Sequence, residues 1–114
     1  MSENTSADPK DGKAALMKAC IGNNVEVVKA LLEKGVDVNA RYEYGRTALW
    51  EASRWGHVEV VEALLEKGAD VDPKDKNGQT ALMGASDGGH VEVVKALLEK
   101  GADVNAKDER VIGG

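Results

Sequence analysis

Between Thr47 and Trp55 the small and apolar residues Leu49, Ala52 and Ser53 recur at i, i+3 and i+4. That is the stripe of a short helix, and its small side chains admit a close neighbour. Val58, Val61, Leu64 and Leu65, joined by Val60, lay a much wider apolar face on a second helix. Such a face suits an element covered both by its own partner helix and by units on either side. Gly56-His57 separates the two helices, and Gly68 stands where a helix C-terminus favours a left-handed residue. The turn-forming run from Asp72 to Gly78 then leads onward. The pattern predicts helix, tight turn, helix, extended loop.

The pattern returns at a fixed interval. Gly12, Gly45 and Gly78 are spaced 33 apart, as are Leu16, Leu49 and Leu82, then Ala19, Ala52 and Ala85, and Gly35, Gly68 and Gly101. A period of that length marks a stacked array of one supersecondary unit. The segments 25–35 and 91–101 are identical, and 58–68 differs from them only in carrying Glu62. Three copies are expected, over residues 9–41, 42–74 and 75–107, with 1–8 a flexible N-terminal tail and 108–114 a C-terminal tail short of a full capping repeat.

These motifs resemble the ankyrin repeat family. The family pattern is carried by Asp75, Gly78, Thr80, Leu82, Ala85, Gly89-His90 and the run from Gly101 to Ala106. It is carried again by Gly45, Thr47, Leu49, Gly56-His57 and the run from Gly68 to Val71. The first copy keeps Gly12, Leu16, Ala19, Gly35, Asp37, Val38, Asn39 and Ala40. The resemblance implies an all-α, ankyrin-repeat solenoid of three helix-turn-helix units joined by extended hairpin-like loops. Departures are visible. Met17, Trp50 and Met83 stand where the family often has His, so the family's Thr-to-His hydrogen bond is not expected. Ala14 replaces Thr and Asn23-Asn24 replaces Gly-His in the first copy, as suits an N-terminal cap. After Asp108-Glu109-Arg110 the pattern is lost at Val111. The helix from Val91 is therefore expected to present an apolar face that self-association, folding of Val111 and Ile112 over it, or the further units of a longer array from which the chain was cut would cover.

With 114 residues there is room for one compact domain and for no independent second one. The chain is 42% hydrophobic and 31% charged, without Phe, so small aliphatic residues must pack the core. Its net charge of -5 gives no general attraction to nucleic acid or anionic lipid, and neither partner is expected. Apolar runs last only a few residues, and the N-terminal residues lack a secretory pattern. Together with the single Cys20, this points to a reducing, cytoplasmic location.

Candidates for catalysis are few, and an enzyme, a cofactor or a metal is not expected. His57 and His90 occupy equivalent positions, which suits loop residues tying the two helices of a unit together. Cys20 aligns with Ser53 and Ser86 on the packed stripe and reads as a small buried side chain rather than a zinc ligand. The run from Gly84 to Gly89 has the composition of a phosphate loop but neither its Lys-Ser/Thr ending nor a preceding strand. The resemblance also implies that Asn39 and Asn105 stand where ankyrin proteins are hydroxylated, although an Asn bonding its own turn is the simpler role.

In an array the periodic residues hold the stack, so a partner must be recognised by residues that break the period. The second and third copies differ in clusters: Tyr42 faces Asp75, Tyr44 Asn77, Arg46 Gln79, Trp50 Met83, Glu51 Gly84, Arg54 Asp87 and Trp55 Gly88. All four aromatics lie in the middle copy, beside Arg41, Arg46 and Arg54. Trp, Tyr and Arg dominate binding hot spots because they bury large areas and also hydrogen-bond. Glu51, Arg54 and Trp55 share one helix face opposite the packed stripe, while Trp50 lies nearer the boundary between units and is expected to be partly core. The sequence thus predicts a protein-interaction module whose partner meets Tyr42, Tyr44, Arg46, Trp50, Glu51, Arg54, Trp55 and Asp87, on elements that the resemblance implies lie on the concave side. The alternative is a consensus-like or self-assembling scaffold without a dedicated partner.

Overall fold

The structure is a computed structural model that describes residues 9–105, with side chains described from residue 12 onward. The tails expected at 1–8 and 108–114, and the cover expected from Val111 and Ile112, lie outside the described residues. Among the described residues six α-helices follow one another: α1 (Pro9–Ile21), α2 (Val25–Glu33), α3 (Ala48–Trp55), α4 (Val58–Glu66), α5 (Ala81–Asp87) and α6 (Val91–Glu99). No strand occurs among the described residues. Each odd-numbered helix packs on the helix after it, and both the odd row α1, α3, α5 and the even row α2, α4, α6 stack in sequence order. This is the expected solenoid of helix-turn-helix units.

The small residues of the odd row make this stacking close. Leu16, Ala19 and Cys20 of α1, Ala48, Leu49, Ala52 and Ser53 of α3, and Ala81 and Ala85 of α5 are buried. Burial pushes the Cys20 thiol up to about 12, so it remains a neutral packing group. Across the even row, Val28 and Leu32, the five residues Val60, Val61, Ala63, Leu64 and Leu65, and Val93 and Leu97 fill the space beneath.

Local chemistry sets the helix ends. Thr47 Oγ1 accepts the Trp50 backbone N–H at 3.1 Å, and Thr80 Oγ1 accepts that of Met83 at 3.3 Å, so α3 and α5 start at equivalent residues. The first unit has Ala14 there and cannot form this cap; α1 runs back through it to Pro9. Gly12 is consequently helical, unlike Gly45 and Gly78, which take φ of 73° and 79° in their turns. The aligned glycines therefore do different work. At Gly12 a Cβ would come within 2.8 Å of Val36 Cγ2, so the residue there permits close packing instead of a turn.

The loops fold back on themselves, as expected. Tyr42 N–H donates to Arg46 O at 2.7 Å, Asp75 N–H to Gln79 O at 2.9 Å, and Lys76 N–H joins neighbouring tips through Tyr44 O at 2.8 Å. Two side-chain roles differ from expectation. His57 Nε2 lies 3.1 Å from Ile21 O, and His90 Nε2 lies 3.1 Å from Arg54 O. Each histidine thus joins its unit to the preceding one, and does not tie together the two helices of its own unit. Asn39 likewise reaches forward: its Oδ1 accepts the Asp70 N–H at 2.8 Å and its amide donates to Gly68 O at 3.4 Å. Asp37 is the residue that closes that turn, accepting the Asn39 N–H at 2.9 Å.

Candidate functional site

The candidate surface is built where the second loop tip meets α3. Because Thr47 caps α3 and Ala48, Leu49, Ala52 and Ser53 face inward, Arg54 and Trp55 are left exposed on the outer side, with Glu51 half-buried between them and the loop. Trp55 is 56% exposed, and its indole Nε1 donates to Glu51 Oε1 at 3.3 Å, one helical turn back. Glu51 Oε2 in turn meets Arg46 Nη1 at 3.5 Å. The three residues form a line of charge-assisted contacts that fixes the indole's orientation while leaving its ring open to solvent.

Arg46 is the centre of the site. Its guanidinium lies 4.2 Å from the ring centroid of Trp50 and 5.3 Å from that of Tyr44, a double cation–π arrangement. Its Nε lies 3.9 Å from the buried carboxylate of Asp75, which also accepts the N–H groups of Asn77 and Gln79 at 2.8 and 2.9 Å. Arg46 therefore links the second loop tip, α3 and the third loop tip. Tyr44 has φ of 64°, a left-handed conformation that costs a non-glycine residue roughly 1 kcal/mol. The bond from Lys76 N–H to its carbonyl and the Arg46 contact hold it there, with 59% of its surface exposed.

The predicted contact residues divide into groups. Tyr44, Arg46, Glu51 and Trp55 form one connected cluster. Arg54 is exposed at the end of α3, and its Cα, Cβ and Cδ all lie 3.7 Å from where a Cβ at Gly84 would stand, so its stem runs alongside α5. Tyr42 is half-buried and already engaged. Its hydroxyl donates to Lys13 O at 2.7 Å, Lys13 Nζ sits 5.0 Å over its ring, and burial first, then Cys20 and Asp37, push its phenol up to about 12. Trp50 corrects the expectation that it offers a contact: only 7% of it is exposed. Its ring is buried beneath the Arg46 guanidinium, so it packs instead of projecting. Asp87 is exposed but lies apart, beside Met83, Asp103 and Val104 on a separate hollow of about 300 Å³ at the α5 end.

A hollow of about 360 Å³ opens beside the cluster, lined by Ala14, Met17 and Ile21 of α1 together with Tyr42, Glu43, Tyr44, Arg46 and Glu51. Met17 and Ile21 were not anticipated. Ile21, 45% exposed, aligns with Arg54 and Asp87, so the break in period was present, but it emerges only when the first copy is compared with the other two. Among the described residues no group of three or more His, Cys, Asp or Glu side chains gathers as a metal would require. No helix among them is long and apolar enough to cross a membrane.

Comparison with known families agrees with this architecture. A family model described as ankyrin repeats (3 copies) matches residues 1–75, and the ankyrin repeat model matches residues 77–109. No curated protein matches the chain at a significant level.

Proposed function

The chain belongs to the ankyrin repeat family, and from that premise we propose that it is a non-enzymatic interaction module that docks a partner protein on the concave face of its second unit. Ankyrin repeats serve generally as protein–protein interaction modules and are typically not enzymes. The observation that carries the narrower reading is the exposed pair Tyr44 and Trp55, contacted by Arg46 and Glu51. Rings ordered before association cost less entropy when a partner covers them, and aromatic and Arg residues are the usual centres of binding energy. The hollow against Met17 and Ile21 offers an apolar seat next to them. Arg54 adds a cation whose guanidinium has no ion-pair partner among the described residues. A cytoplasmic setting accords with this reading, since Cys20 stays a buried thiol.

The test is affinity capture with the wild-type chain beside a Trp55→Ala/Arg54→Ala variant, followed by titration calorimetry on the protein recovered. Trp55→Ala alone should weaken that protein's binding by about 1 kcal/mol or more while leaving the melting temperature nearly unchanged. Equal affinity for wild type and variant removes Trp55 from the surface.

A further inference from the structure

Three copies of nearly one helix sequence reveal which side chains receive each neighbour. The central α4 buries Val60, Val61, Ala63, Leu64 and Leu65. In α2 the counterparts of Val60, Ala63 and Leu64 lose cover: Val27 is 40% exposed, Ala30 is exposed and Leu31 half-buried. In α6 chiefly the other subset loses cover: Val94 is half-buried and Leu98, the counterpart of Leu65, is 41% exposed, with Ala96 half-buried and Val91 and Val104 exposed at the same end. One subset meets the preceding unit and the other the following unit. The two ends thus carry complementary halves of the interface that encloses α4. We propose that the α6 end of one copy receives the α2 end of a second copy, head to tail and in the register of the internal stack.

The polar groups fit the same register. Arg54 lies against residue 84 of the next unit; one unit on, Asp87 takes the place of Arg54, and Lys18 of the second copy takes the place of Gly84. Both are exposed, and their charges are opposite. Asn39 Oδ1 and Asp72 Oδ1 accept the N–H groups of Asp70 and Asp103 at 2.8 and 2.9 Å. The third member of that series, Asn105, faces the Asp37 N–H of the second copy. The carbonyls of Ile21 and Arg54 meet His57 and His90; that of Asp87 meets Asn24 of the second copy, whose side-chain amide supplies a donor. Such a contact joins unlike surfaces and does not close, so it generates open chains of copies.

The experiment is sedimentation velocity on the full chain from about 1 μM to about 1 mM, a range that spans weak affinities. The weight-average mass should rise with concentration. Val27→Glu and Leu98→Glu should each remain single chains, with melting curves by circular dichroism verifying that both fold. An equimolar mixture of the two should form a one-to-one dimer and stop there, since only one competent pair of ends is left. Asp87→Lys and Lys18→Asp should each weaken association about fivefold, and the chain carrying both should regain it. A wild-type mass fixed at one chain overturns the proposal, including the case in which residues 106–114 cover the α6 face. So does association that survives Val27→Glu, which would mean pairing through another surface.

Discussion

The two rows of helices solve different problems with the same geometry. In the even row the residues barely change: α2 and α6 are identical in sequence and α4 differs only at Glu62, yet α4 buries five side chains where each twin buries two. In the odd row and its loop tips the backbone recurs while the residues change, so that Trp50, Glu51, Arg54 and Trp55 stand where the third unit has Met83, Gly84, Asp87 and Gly88. The first row shows that burial is conferred by neighbours and not by local sequence, the hallmark of a one-dimensional stack. The second shows where such a stack is free to vary without losing its fold.

The sharpest way to break this comparison lies within α3. Trp50→Ala empties a core site and should destabilise the chain by about 3–5 kcal/mol in urea unfolding, whereas Trp55→Ala should stay within about 0.5 kcal/mol of wild type. Comparable losses at both would mean that the odd row is not divided into core and open surface. In the even row, Leu65→Ala should cost about 2–4 kcal/mol and its counterpart Leu98→Ala about 1 kcal/mol or less, by the same measurement. Equal costs would show that sequence, not flanking units, sets the contribution.

A further comparison concerns pH. The Cys20 and Tyr42 groups are held at about 12 in the folded chain, against 9.0 and 10.0 for the free groups. The unfolded chain releases those protons first, so stability should fall as pH rises above about 9 and continue falling towards 12. Cys20→Ala should remove the earliest part of that decline, measured as unfolding midpoint against pH.

Much of the fold was legible because periodicity and caps are local. Thr47, Thr80, Gly56 and Gly68 mark their helix ends directly in the chain. The reach of α1 was not legible: Ala14 stands out as a departure, but the alignment of Gly12 with Gly45 puts a turn where the helix continues. At the candidate site, Glu51 and Trp55 follow from helical spacing alone. The central place of Arg46 does not, since it depends on Asp75 and Tyr44 arriving from two different loops. The period places the histidines in their loops but not against their partners, because a sequence period cannot say which side of a unit a ring faces.

Amide hydrogen exchange across the even row tests the account most directly. In dilute solution the α4 amides should exchange at least about tenfold more slowly than those of α2 and α6, the factor that roughly 1.4 kcal/mol of additional local stability supplies. Equal protection in all three helices would contradict it, because nearly identical sequences would then be equally stable whatever packs beside them.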